Sequence, residues 1–119
     1  MKKILVIEDD LGIKDNLADL LELNNYCVNT LSDGARAVVK AIEFRPNLII
    51  CDIRMMPCDG WTVFEALKAN PVTTTIPFMF LSAAIDRDVW LRAQSMNVEF
   101  LRKPFSQSQL LDCVQKLCS

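Results

Sequence analysis

The chain has 119 residues, 51% hydrophobic and 24% charged, which suits one globular domain with a real core and leaves no room for two. Its net charge of -2 argues against non-specific binding to nucleic acid or to anionic membranes. It has no histidine, which excludes a His-activated nucleophile, a His-based zinc site and a phosphohistidine formed on this chain.

Ile4–Leu5–Val6–Ile7 is a continuous apolar run that ends at Glu8–Asp9–Asp10, and it predicts a strand over 3–8. Lys2–Lys3 precede it as in a signal peptide. The run meets three acids at once, however, so no export signal forms and the cytoplasm is the expected compartment. Ile13, Leu17, Leu20 and Leu21 fall at i, i+4, i+7 and i+8, the stripe of an amphipathic helix that Asn24–Asn25 stops. A second strand is predicted over 26–31. Ala35, Val38, Val39 and Ile42 then set a second helical face, which ends at Arg45–Pro46.

The third strand, 47–52, is the apolar run Leu48–Ile49–Ile50–Cys51 leading into Asp52. Turn signals occupy Ile53–Gly60, so Asp52 sits at a mouth, and Asn70–Pro71 stops the helical segment that follows. In that segment Trp61, just after Gly60, is read as core. The fourth strand, 76–81, runs out through Leu81–Ser82–Ala83. Val89, Ala93 and Met96 mark the fourth helix, on which Trp90 is read as packed, with a partner contact as the alternative. The fifth strand, 98–101, leads through Arg102 to Lys103–Pro104. Ser106-x-x-Gln109 is a capping box for a last helix with Leu110, Val114, Leu117 and Cys118 on one face.

Five strand-helix alternations with continuous apolar strands predict an α/β domain whose parallel sheet is covered on both faces. No apolar run approaches the roughly 18 residues of a membrane span. Cys27, Cys51, Cys58, Cys113 and Cys118 are an odd set with no C-x-x-C, as expected of reduced, buried or incidental thiols.

In open α/β sheets ligands bind beyond the carboxyl ends of the strands. Glu8–Asp9, Asp52, Ser82 and Lys103 all reach that edge. Clustered carboxylates repel, and a hard cation such as Mg²⁺ relieves the repulsion while keeping several waters. Lys103 would compensate the same charge. Each residue also has a plainer reading by itself. Asp9 or Asp10 could cap the first helix, Asp52 could open a loop, Ser82 could cap the fourth helix, and Lys103 could face solvent before a proline turn.

The joint pattern is more specific. ILVIEDD, LIICDIRMMPCDG, PFMFLSA and EFLRKPF occur in order, each at its own strand end. Together they resemble the receiver domain of bacterial two-component response regulators, of the chemotaxis-regulator kind, over the whole chain. The resemblance implies a flavodoxin-like, doubly wound, five-stranded parallel sheet of order 2-1-3-4-5 with five helices in three layers. It also implies one receiver domain over 1–119, with any output domain beyond Ser119.

By this resemblance Asp52 is the phosphoryl acceptor. Asp9, Asp52 and the backbone carbonyl of Arg54 would hold Mg²⁺, or Mn²⁺ in its place, and Glu8 would act through a metal-bound water. Lys103 resembles the phosphoryl-binding lysine. Ser82, with the Ala83 backbone N–H, resembles the group that closes on the phosphoryl oxygens, and Phe100 holds the place of the switch aromatic.

The implied partners are a sensor histidine kinase or a histidine phosphotransfer protein. A downstream target would bind the face of helix 4, strand 5 and helix 5, and phosphorylation could drive dimerisation. No direct contact with nucleic acid or membrane is implied. The chain departs from the common pattern at Met56–Pro57, where proline usually comes one residue earlier, and at Phe100, where tyrosine is frequent. Arg54 and Ala84 hold variable positions beside the phosphoryl site.

A phosphorelay intermediate or a phosphorylation-independent interaction module are the alternatives. A true aspartyl-phosphate phosphatase would need an acid two residues after the nucleophile, where Arg54 stands. A flavin or dinucleotide carrier is disfavoured by three glycines and no Gly-rich loop.

Overall fold

The computed structural model describes residues 1–56, 58–82 and 87–118. Pro57, Ala83, Ala84, Ile85, Asp86 and Ser119 lie outside that description. The expectations placed on the Ala83 N–H, on Ala84 and on the Met56–Pro57 turn therefore fall outside it too.

In chain order the elements are β1 (Lys3–Ile7), α1 (Leu11–Leu23), β2 (Cys27–Leu31), a short 3-10 turn (Gly34–Arg36), α2 (Ala37–Phe44), β3 (Leu48–Asp52), α3 (Gly60–Ala69), β4 (Phe78–Ser82), α4 (Arg87–Ser95), β5 (Glu99–Arg102) and α5 (Gln107–Cys118). The strands pair in parallel in the order β2-β1-β3-β4-β5. This is the doubly wound, flavodoxin-like sheet, and its carboxyl edge carries the reversal of strand order between β1 and β3.

Strand residues alternate between two cores because successive side chains point to opposite faces. Leu5, Ile7, Ile49, Cys51, Phe78 and Phe80 join Ala37, Ala41, Trp61, Phe64, Leu67 and Ala93 under α2, α3 and α4. Ile4, Val6, Leu48, Ile50, Met79 and Leu81 join Leu17, Leu21, Leu110 and Val114 under α1 and α5. Burial on both faces explains why β3 and β4 read as unbroken apolar runs.

Local signals set the helix ends. Asp10 caps α1, its Oδ1 accepting from the Ile13 N–H at 3.1 Å. Ser106 and Gln109 form the expected reciprocal box: Ser106 N–H donates to Gln109 Oε1 at 2.8 Å and Gln109 N–H to Ser106 Oγ at 3.1 Å. Arg45 ends α2 in the left-handed region with φ 54°.

Three expectations need correction. The face of α2 is set by Ala37 and Ala41, not by Ala35 and Val39: Ala35 lies in the 3-10 turn and Val39 is exposed. The two alanines let the helix backbone sit close to the sheet. Met96 lies past the end of α4 and is exposed. Trp90 is 48% exposed rather than packed. Cys27 is free and exposed on the edge strand β2, within the expectation of reduced, buried or incidental thiols.

Among the described residues no helix is long and apolar enough to cross a membrane.

Candidate functional site

Strand ends assemble the site. The Glu8 N–H donates to Leu31 O at 3.0 Å, which extends the β1–β2 ladder by one rung and carries the Glu8 side chain into the interior. Glu8 is 1% exposed, whereas Asp9, the next residue, is exposed. Asp52 closes β3 and is 8% exposed. The Lys103 N–H donates to Ser82 O at 2.8 Å, so β5 is held to β4 one residue past its end. That rung aims the Lys103 ammonium across the edge, where Nζ lies 3.6 Å from Glu8 Oε1 and 3.8 Å from Asp52 Oδ2.

Carboxylate oxygens of Glu8, Asp9 and Asp52 lie within 4.8 Å of one another. Three carboxylates thus face one ammonium in a half-enclosed space. Burial pushes the Glu8 carboxyl up from 4.5 to about 7; the Asp52 charge, a hydrogen bond with Asp52 and the Asp9 charge add to the rise, and Lys103 opposes it. Glu8 Oε2 is buried and has no hydrogen-bond partner among the described residues. A buried carboxylate oxygen left this way is costly, and a cation or its bound water would satisfy it. The donor set is all oxygen and offers few protein ligands, which fits Mg²⁺ rather than a softer metal.

The loop after β3 is pinned to the site by a glycine. Gly60 N–H donates to Ile53 O at 2.7 Å. A Cβ on Gly60 would meet Asp52 O at 2.5 Å and Ile53 Cα at 2.7 Å, so the start of α3 sits directly on the backbone of Asp52. Asp59 is the cap of that helix, its Oδ1 accepting from Thr62 N–H at 2.9 Å and Thr62 Oγ1 at 3.0 Å. Asp10 and Asp59 are therefore caps, and Glu8, Asp9, Asp52 and Lys103 are the residues brought together.

Ser82 ends β4 and is buried, one residue past the Leu81 that pairs with Asp52. Phe100 pairs with Phe80 in the sheet register and packs, partly buried, on the α2–α3–α4 side. Arg54 is exposed in the loop after β3.

Pattern reading did not single out three features around this site: the close seat of Gly60, the depth of Glu8 and a contact between Trp61 and Arg92. Asp59–Gly60 followed by Thr62 was the available signal for the first, as a capped helix start after a turn. The other two depend on chain segments far apart in sequence and left no local trace.

The family model described as "Response regulator receiver domain" matches residues 4–115. The chain is a response regulator receiver domain. This receiver is 32% identical to the DNA-binding dual master transcriptional regulator RpaA of Synechocystis sp. over 118 residues, which are 98% of this chain and 49% of that protein. It is 36% identical to the transcriptional regulatory protein PrrA of Mycobacterium leprae, over 97% of this chain and 49% of that one. The receiver thus spans about half the length of the curated relatives it matches. Its fold superposes on the chemotaxis protein CheY4 of Vibrio cholerae with a TM-score of 0.90, at 25% identity and 98% coverage of both chains. A receiver is a signalling domain of two-component systems, and the acidic cluster fits the receiver active site.

Proposed function

We propose that this receiver accepts a phosphoryl group on Asp52 from a phosphohistidine of a partner kinase or histidine phosphotransfer protein. The observation that carries the reading is the convergence of Glu8, Asp9, Asp52 and the Lys103 ammonium at one sheet edge. Asp9, Asp52 and the Arg54 backbone carbonyl would hold Mg²⁺ or Mn²⁺, with Glu8 reaching it through water. When bound, the cation would offset the negative charge that the carboxylates and phosphoryl oxygens bring together.

The protein's own residues carry the transfer. An Asp52 carboxylate oxygen attacks phosphorus, the P–N bond breaks, the imidazole leaves with the electron pair, and an acyl phosphate remains on Asp52. Lys103 pairs with the transferred oxygens. Ser82, with the Ala83 N–H, closes on them, and Phe100 turns behind Ser82. Positioning and charge neutralisation account for such a transfer without a further nucleophile. Water later hydrolyses the acyl phosphate and resets the domain.

The downstream target, or a second copy in a phosphorylation-dependent dimer, would read the face of α4, β5 and α5, where Trp90 and Leu91 are exposed. The site lies in one domain working in the cytoplasm. The DNA binding in the name of the Synechocystis relative is assigned here to no residue of this domain.

Acetyl phosphate with Mg²⁺ should label the wild-type chain with one phosphoryl group, labile to alkali and released by hydroxylamine. Asp52→Asn should abolish the label. Labelling of Asp52→Asn at the wild-type rate would overturn the assignment, and an unlabelled wild type that still binds its partner would favour a phosphorylation-independent module.

A further inference from the structure

Apolar packing holds α4 only lightly. Ala93 is its one buried residue, Val89 is half-buried, and Trp90 and Leu91 are exposed. Beside the core that Ala93 and Val89 share with α3, Arg92 makes a polar and stacking contact from α4 to α3. Its guanidinium lies over the Trp61 ring, 4.2 Å from the centroid, and its Nη2 is 3.2 Å from Glu65 Oε1. A planar guanidinium can stack on an indole and still reach a carboxylate with its fork, which an ammonium cannot do as well.

Trp61 lies buried beneath Arg92, its ring 4.6 Å from that of Phe80. It also follows Gly60, whose seat against Asp52 O and Ile53 leaves no space for a methyl group. A continuous set of contacts therefore runs from α4 through Arg92 and Trp61 to the backbone of Asp52.

We infer that Arg92 is a positioning residue for the acceptor site: by clamping α4 onto Trp61 it holds the start of α3 against Asp52. The inference rests on the reading of Asp52 as part of a cation site. Linkage makes the effect reciprocal, so a cation that binds better when the clamp is closed must tighten α4 by the same factor.

The test uses the full chain and Mg²⁺ alone as the probe. Mg²⁺ affinity would be measured for wild type, Arg92→Met and Arg92→Lys, with amide exchange of α4 followed with and without the ion. Arg92→Met keeps the apolar stem but loses the charge. It should weaken Mg²⁺ binding about three- to fivefold and remove the slowing of α4 exchange by Mg²⁺. Arg92→Lys should recover part of both effects. Glu65→Gln, at a more exposed position, should shift affinity in the same direction by about twofold, and it supplies the test if Arg92→Met does not fold.

A variant with faster α4 exchange and wild-type Mg²⁺ affinity would show that the clamp is packing only, and would overturn the inference while leaving the cation site intact. Wild type that binds Mg²⁺ no better than Asp52→Asn would overturn the cation site, and the inference with it.

Discussion

The Glu8 carboxyl titrates near 4.5 when the chain is unfolded and is raised to about 7 in the fold, chiefly by burial and then by the Asp52 charge. Between those values the folded state holds more protons than the unfolded one, so its stability falls as pH rises through that window. Without metal the loss by about pH 8 is on the order of 3 kcal/mol. Glu8→Gln removes the titrating group. The difference in unfolding free energy between wild type and Glu8→Gln should therefore slope from about pH 5 to about pH 7 and level off above. Added Mg²⁺ should flatten the wild-type decline. Parallel curves for the two proteins, from chemical denaturation across pH, would show that Glu8 is not buried as a proton carrier. The roles of neighbouring acids were partly legible in the sequence. Asp10, three residues before Ile13 in a helical stripe, reads as a cap and is one. Nothing local separates Glu8 from Asp9, because strand pairing with β2 decides which of the two enters the interior.

Helix α3 shows how one residue without a side chain can position an element. Its first residue, Gly60, touches the backbone of Asp52 and Ile53, and Phe80 Cε1 would stand 3.1 Å from an added Cβ. Those neighbours are mostly backbone and cannot swing aside. Gly60→Ala should cost about 1–3 kcal/mol of stability, read from urea midpoints at constant slope. It should also weaken Mg²⁺ binding, because relief of the clash shifts the Asp52 carbonyl. A variant with wild-type stability would mean that α3 can slide freely on β3. Helix phase was less legible than helix existence. In α2 the expected stripe placed Val39 inward, yet Ala41 is buried and Val39 is 55% exposed. A short helix rich in small apolar residues offers more than one face of similar hydropathy, and the approach distance to the sheet selects among them. For α5 the expected stripe of Leu110, Val114, Leu117 and Cys118 is the inward face: Leu110, Val114 and Cys118 are buried and Leu117 is partly buried.

At the scale of the whole molecule, one sheet joins two apolar cores, and Phe80 lies at the centre of one of them. It is fully buried, with the rings of Trp61, Phe64 and Phe78 at 4.6, 5.7 and 4.9 Å. Phe80→Ala should cost about 3–5 kcal/mol. Because β4 also buries Met79 and Leu81 in the opposite core, the loss should appear as one shifted transition. Tryptophan fluorescence and far-UV circular dichroism would report it together; separate midpoints would mean that the two faces unfold independently. The sequence by itself determined the alternation of strands and helices, their caps and stops, and the placing of acids, hydroxyl and lysine at strand ends. Those are matters of periodicity and of hydrogen bonds within a few residues. Only the tertiary structure decided that Glu8 is buried and Asp9 exposed, that Lys103 spans Glu8 and Asp52, that Gly60 has no room, and that Arg92 lies over Trp61. Each of these depends on the distance between segments far apart in the chain, which strand register and helix docking set and local patterns do not encode.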